Sequence, residues 1–186
     1  MRERSKDLRV RRTLTAVRKA FNDLVLARNY NEISITDLTE KAGINRKTFY
    51  LHYSSLDDLV SEVEEEMSRE ILDNIGEYAK KLDLEGCITY FYKYLESCSK
   101  VEKKLMCDEH YAFFYNEVVD TVLKSDEFSK FFSMTQHPSI VRSYTKAITA
   151  IYKDWLKEGK DTDFSVLTDT ASKLLGSGYS GIINRN

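Results

Sequence analysis

The chain has 186 residues, 42% hydrophobic and 31% charged, with one proline and seven glycines; this is an ordinary soluble globular balance, and so few breakers argue for helices rather than many short strands. Its apolar runs are a few residues long, such as 111–115, and too short to span a bilayer. The net charge of −2 hides an asymmetry: residues 1–53 hold 12 Lys/Arg against 6 Asp/Glu and residues 54–186 hold 16 against 24, a basic head on an acidic body that suits a head meeting a polyanion.

The first apolar periodicity runs from about Lys6 to Arg28. Leu14, Val17, Ala20, Phe21, Leu24 and Val25 recur at steps of three and four and mark one helical face. Arg28-Asn29-Tyr30-Asn31 is a polar break with turn-prone asparagines. Ser34 then suits a helix N-cap, with Asp37 three residues on as a short variant of the capping box. Ile35, Leu38 and Ala42 face one side, and Gly43 suits the left-handed residue that closes a helix. Asn45 can cap a further helix through Tyr53, with Phe49 as its core anchor. A short helix, a turn with glycine and a second helix with a basic, polar side make a helix-turn-helix pattern, whose second helix enters the major groove.

A long helix is expected from Ser54 or Ser55 to about Lys81. Asp57 and Asp58 complement its N-terminal dipole, and Leu59, Val63, Met67, Ile71 and Ile75 step by four along it. It is too long for the head alone and joins head to body. Further helical patterns cover roughly 84–99 (Ile88, Phe91, Tyr92, Leu95), 108–124 (Tyr111, Phe114, Tyr115, Val118, Val122), 139–157 (Ile140, Tyr144, Ile148, Ile151, Trp155) and 164–175 (Phe164, Leu167, Ala171, Leu174, Leu175). Pro138 suits the first turn of the third, and Gly159 its close.

The stretch Ile33–Tyr53, ISITDLTEKAGINRKTFYLHY, resembles the DNA-binding signature of the TetR family of bacterial regulators. Thr48–Tyr53, TFYLHY, is its most diagnostic part; Ala42-Gly43-Ile44 before it and Leu56–Leu59 after it also fit. The likeness covers about residues 9–65. Within residues 147–159, IYKDWLKEG looks like the penultimate helix of members resembling regulators of dihydroxyacetone kinase genes. The resemblance implies an all-α protein: a three-helix DNA-binding head, residues 1–53, and a C-terminal helical bundle, residues 54–186, that dimerises and binds a small molecule. Many members carry a lysine at the start of the fourth helix, where it meets a phosphate. Ser54-Ser55-Leu56 stands there instead, so hydroxyls and the helix N-terminus, or the basic arm Arg2–Arg12, would have to take over that contact.

On this reading Arg46 and Lys47 reach guanine edges or phosphate, and Thr48 a thymine methyl or phosphate. Tyr50 and His52 resemble family positions on the phosphate backbone; without the motif, His52 would read as a packed or exposed histidine. Asn45 caps the recognition helix at the same surface. Ser34 and Thr36 can hold phosphate, although capping alone explains Ser34. Aromatic residues at helical spacing are more often core than ligand cage, yet a pocket would draw on this set, and Tyr94, Tyr111 and Tyr115 are the candidates for it.

No metal site, cofactor or catalytic constellation is expected. Cys107-Asp108-Glu109-His110 has suitable side chains, but neighbours on a helix point apart. Gly176-Ser177-Gly178 lacks the lysine of a phosphate loop. Three irregularly spaced cysteines suit reduced thiols, and the charged Arg2–Arg12 segment has no apolar stretch behind it; the cytoplasm is the default location, with no membrane partner. The reading is therefore a regulator of transcription, a repressor released by a small-molecule effector. It would bind a near-palindromic double-stranded operator as a homodimer joined through about 139–157 and 164–178. The alternatives are a helical DNA-binding protein without ligand control and a helical protein-interaction module, with an enzyme more distant.

Overall fold

The computed structural model describes residues 2–181, with side chains from residue 8 onward. Among them are ten α-helices, two 3-10 turns and no strand, the all-α class expected. The helices are α1 Arg2–Ala27, α2 Ile35–Ala42, α3 Arg46–Tyr50, α4 Leu56–Lys80, α5 Leu84–Ser97, α6 Lys100–Cys107, α7 Ala112–Lys124, α8 Asp126–Ser133, α9 Pro138–Lys157 and α10 Phe164–Ser180. The chain forms two compact units: residues up to Val63 together with Ser99–Phe114, and Glu64–Cys98 together with residues from Tyr115 on. No described helix is long and apolar enough to cross a membrane.

The first unit is built on the apolar face of α1. Val17, Phe21 and Val25 are fully buried, with Ala20 and Leu24 nearly so; each large side chain removed from water contributes about 1.5–3 kcal/mol. Leu38, Phe49, Tyr53, Leu59 and Val60 complete this core. Helix α6, which apolar periodicity did not reveal, packs along α1. Ser99 and Glu102 cap it reciprocally: the Glu102 carboxylate accepts from the Ser99 N–H at 2.7 Å, and the Ser99 hydroxyl accepts from the Glu102 N–H at 3.3 Å. A helix C-terminus leaves carbonyls without intrahelical partners. Here the Arg28 carbonyl, just past the end of α1, accepts from the Tyr111 hydroxyl at 3.0 Å and from Lys104 Nζ at 3.2 Å. The Tyr30 and Phe113 rings lie 4.7 Å apart beside them.

In the second unit Met67, Ile71 and Ile75 of α4 are buried, as their step of four requires. Ile88, Phe91 and Leu95 of α5 and Val118 and Val122 of α7 are buried in the same unit, and Ile75, Ile88, Phe91 and Val122 share one cavity. Buried phenols find partners: Tyr92 donates to the Ile148 carbonyl at 2.6 Å and Tyr179 to the Phe131 carbonyl at 2.7 Å. Pro138 opens α9 in its first turn, and Gly159 beyond its end takes φ +83°, a left-handed conformation glycine adopts without a Cβ clash. The buried stripe of α9 is Val141, Thr145, Ile148, Tyr152 and Trp155, rotated from the expected one, so that Ile140 is 65% exposed. On α10 Leu167, Ala171 and Leu175 are buried as expected, whereas Leu174 is exposed.

Candidate nucleic-acid interface

Two caps fix the helix-turn-helix. The Ser34 hydroxyl accepts from the Asp37 N–H at 3.1 Å, and the Asp37 carboxylate accepts from the Ser34 N–H at 3.2 Å and from its hydroxyl. These bonds from Ser34, reinforced by Arg28 at 2.9 Å, hold the Asp37 carboxyl down at about 2. Gly43 ends α2 at φ +66°. Asn45 then caps α3, its side chain accepting from the Lys47 N–H at 2.8 Å. Phe49, fully buried, and Tyr53 anchor the short helix, their rings 5.4 Å apart.

Anchoring one side of α3 turns the other outward. Arg46, Lys47 and Tyr50 are exposed, as are Ser34, Thr36 and Asn45; Thr48 and His52 are half-buried at its margins. Arg46 Nη1 donates to Thr36 Oγ1 at 3.5 Å, bridging the start of α2 to the start of α3. All eight expected DNA-contact residues thus fall on or beside this helix pair. The same surface includes Leu51, 79% exposed, which the sequence reading passed over; its position four residues after Lys47 was the available signal. Ser54 and Ser55 serve the start of α4. The Ser54 N–H and hydroxyl both donate to Asp58, at 2.7 and 3.1 Å, and the Ser55 hydroxyl accepts from the Asp58 N–H at 3.1 Å. Of the basic arm, the side chains of Arg2, Arg4 and Lys6 lie outside the described residues, while Arg9, Arg11 and Arg12 are exposed.

The three tyrosines considered for a pocket are divided between the two units. Tyr111 belongs to the first unit, its side chain taken up by the Arg28 carbonyl. Tyr94 donates to Glu70 at 3.3 Å, and the Tyr115 and Thr149 hydroxyls are 2.8 Å apart. The second unit does hold an interior cavity of about 30 Å³, and none of the three lines it; its walls come from Ile75, Leu84, Cys87, Ile88, Phe91, Val119, Val122, Leu123, Phe128, Thr145, Thr149 and Leu175. The Thr145 hydroxyl donates to the Val141 carbonyl at 3.0 Å and that of Thr149 to the Lys146 carbonyl at 2.8 Å. Burial, with Asp83 nearby, pushes the Cys87 thiol up to about 12, so the cavity wall carries no charge at neutral pH. Asp108 and His110 serve their own turn: the Asp108 carboxylate caps the His110 N–H at 2.9 Å and lies 3.0 Å from its Nδ1.

The fold is shared with solved regulators. NalD, the secondary repressor of a multidrug efflux pump in Pseudomonas aeruginosa, superposes with a TM-score of 0.62 at 20% identity over 95% of this chain and 98% of that one. The TetR family repressor AlkX from Dietzia gives 0.53 at 14% over 92% and 97%, and the dihydroxyacetone kinase operon activator DhaS gives 0.53 at 21% over 92% and 98%. This chain has the TetR-family fold. Two curated proteins also match by sequence. An uncharacterized HTH-type transcriptional regulator, YxbF of Bacillus subtilis, is 37% identical over 75 residues, 40% of this chain. The HTH-type dhaKLM operon activator DhaS of Lactococcus lactis is 32% identical over 66 residues, 36% of this chain. These stretches span 20% and 35% of the relatives' own lengths. No family model matches the chain.

Proposed function

We propose that the protein is a sequence-specific DNA-binding regulator of transcription acting as a homodimer, with DNA contacts in residues 1–53 and self-association and ligand binding in residues 54–186. The observation that carries this reading is the capped, Phe49-anchored α3, which turns Arg46, Lys47 and Tyr50 to solvent. Arginine and lysine in the first turn of such a helix suit base edges and phosphate. The sequence likeness to two proteins named HTH-type transcriptional regulators supports the same assignment. An interaction module with a basic head accounts for the charge but not for that likeness.

Self-association through α9 and α10 is supported by the apolar side chains these helices leave outside: Ile140, Val166 and Leu174 are 65%, 51% and 47% exposed. A two-fold dimer would present two copies of α3 to a near-palindromic site, with half-sites about 34–36 Å apart. The regulator is read as a repressor released by an effector; the relative DhaS, named an activator, favours activation as the second reading. The cavity walls suit an uncharged effector or the apolar end of a larger one. At about 30 Å³ the space holds a group of roughly two water volumes. Such a ligand changes DNA affinity only by its differential affinity for the two states.

The test is selection of bound duplexes from a random pool, followed by binding isotherms across a salt series. A preferred, two-fold related sequence whose affinity falls steeply with salt is expected, because each neutralised phosphate releases counterion. A protein that ignores every duplex at low ionic strength is not this regulator.

A further inference from the structure

Helical spacing leaves four side chains on one face of α3. Arg46 and Tyr50 are one turn apart, as are Lys47 and Leu51, and all four are exposed. Leu51 continues the helical backbone at φ −77°, ψ −16°, so the spacing holds through it. Phe49 points the opposite way into the core. At 79% Leu51 is the most exposed large hydrophobic side chain among the described residues.

An isobutyl group cannot bond a phosphate oxygen or a base-edge donor. On the floor of a major groove its one complementary feature is the C5 methyl of thymine. Arg46 and Lys47, exposed one turn earlier on the same face, supply charge complementarity to a nucleic acid; a protein partner would have to match an apolar spot beside two cations. Resting on the regulator reading above, we propose that Leu51 is a specificity-determining residue that packs on the methyl group of one thymine in each half-site. The helical rise places it about 7.5 Å along the α3 axis from Arg46, so the thymine it meets is not in the base pair that Arg46 reads.

The duplex selected by the wild-type protein supplies the probe. Each thymine is replaced in turn by deoxyuridine, which deletes only the methyl group. At one thymine per half-site wild-type affinity is expected to fall about fourfold, the usual worth of one buried methyl-sized group. Leu51→Ala is expected to bind the two duplexes equally, while Leu51→Met keeps the preference. Wild-type binding insensitive to every methyl, or the same loss in Leu51→Ala as in wild type, overturns the assignment while leaving DNA recognition intact. Absence of any preferred sequence overturns the regulator reading and this inference with it.

Discussion

The Tyr111 hydroxyl donates to the Arg28 carbonyl at 3.0 Å, across 83 positions of sequence. That bond, with Lys104 beside it, ties residues 99–114 to the end of α1. The same Arg28 pairs through its guanidinium with Asp37 at the start of α2. The segment therefore supports the ground on which the helix-turn-helix stands. Tyr111→Phe keeps the ring and removes the donor; urea denaturation should show a loss of about 0.5–1.5 kcal/mol, the net worth of such a bond. An unchanged midpoint would show that Lys104 alone satisfies the carbonyl.

The Asp37 carboxyl, held at about 2 against an ordinary value near 3.8, gives the first unit an acid dependence. Its folded value lies below its unfolded one, so its contribution to stability is complete above the unfolded value and is lost as pH falls toward 2. The larger cause is the Ser34 hydroxyl and the smaller is Arg28. A carboxyl-carbon NMR titration should therefore show a bigger upward shift of the Asp37 midpoint in Ser34→Ala than in Arg28→Ala. Ser34→Ala also loses the N-cap, at about 1 kcal/mol. Equal shifts in the two variants would abolish this ranking of causes, and a larger one in Arg28→Ala would reverse it.

The helix-turn-helix was legible because its controls are local. Ser34, Asp37, Gly43 and Asn45 act within four residues of themselves, and their caps stand where spacing placed them. Helices α6 and α8 were missed: at eight residues each they set up little periodicity, and the Ser99–Glu102 capping box that marks the start of α6 was the local signal left unread. The apolar stripes of α9 and α10 were read as single faces, yet Ile140 and Leu174 stand outside the core, since periodicity does not say whether an apolar face is covered by the same chain. The cavity walls are mostly aliphatic, with Phe91 and Phe128 as their aromatic members, so the tyrosines were a poor guide to them. Choosing a pocket requires knowing which helices meet, and Tyr111 sits in a different unit from Tyr94 and Tyr115.

Gly178 is held small by Tyr144. A Cβ at position 178 would lie 2.5 Å from the tyrosine hydroxyl oxygen and 2.7 Å from its ring carbon, and that hydroxyl is committed to the Leu174 carbonyl. Gly178→Ala should therefore push the half-exposed Tyr144 ring aside and cost about 0.5–1.5 kcal/mol, the net worth of the hydrogen bond it gives up. In a Tyr144→Ala background the same change should reverse sign and stabilise by up to about 1 kcal/mol, as alanine normally does over glycine within a helix. Thermal melts of the four proteins give the coupling; additivity between the two sites would remove Tyr144 as the cause.

Arg46 and Lys47 are adjacent and both exposed, but the regulator reading asks different things of them. On the proposed reading Arg46, which donates to Thr36 at 3.5 Å, makes a planar, two-bond contact with guanine. Arg46→Ala should cost roughly 1–3 kcal/mol on the selected duplex and relax the preference at one base pair. Lys47 is assigned to phosphate, so Lys47→Ala should weaken selected and scrambled duplexes alike and lower the salt slope by about 1. Isotherms on both duplexes at several salt concentrations separate the two roles. If Arg46→Ala lost affinity equally on every sequence, the arginine would be a phosphate contact, and base reading by this helix would have to come from elsewhere on the α3 face.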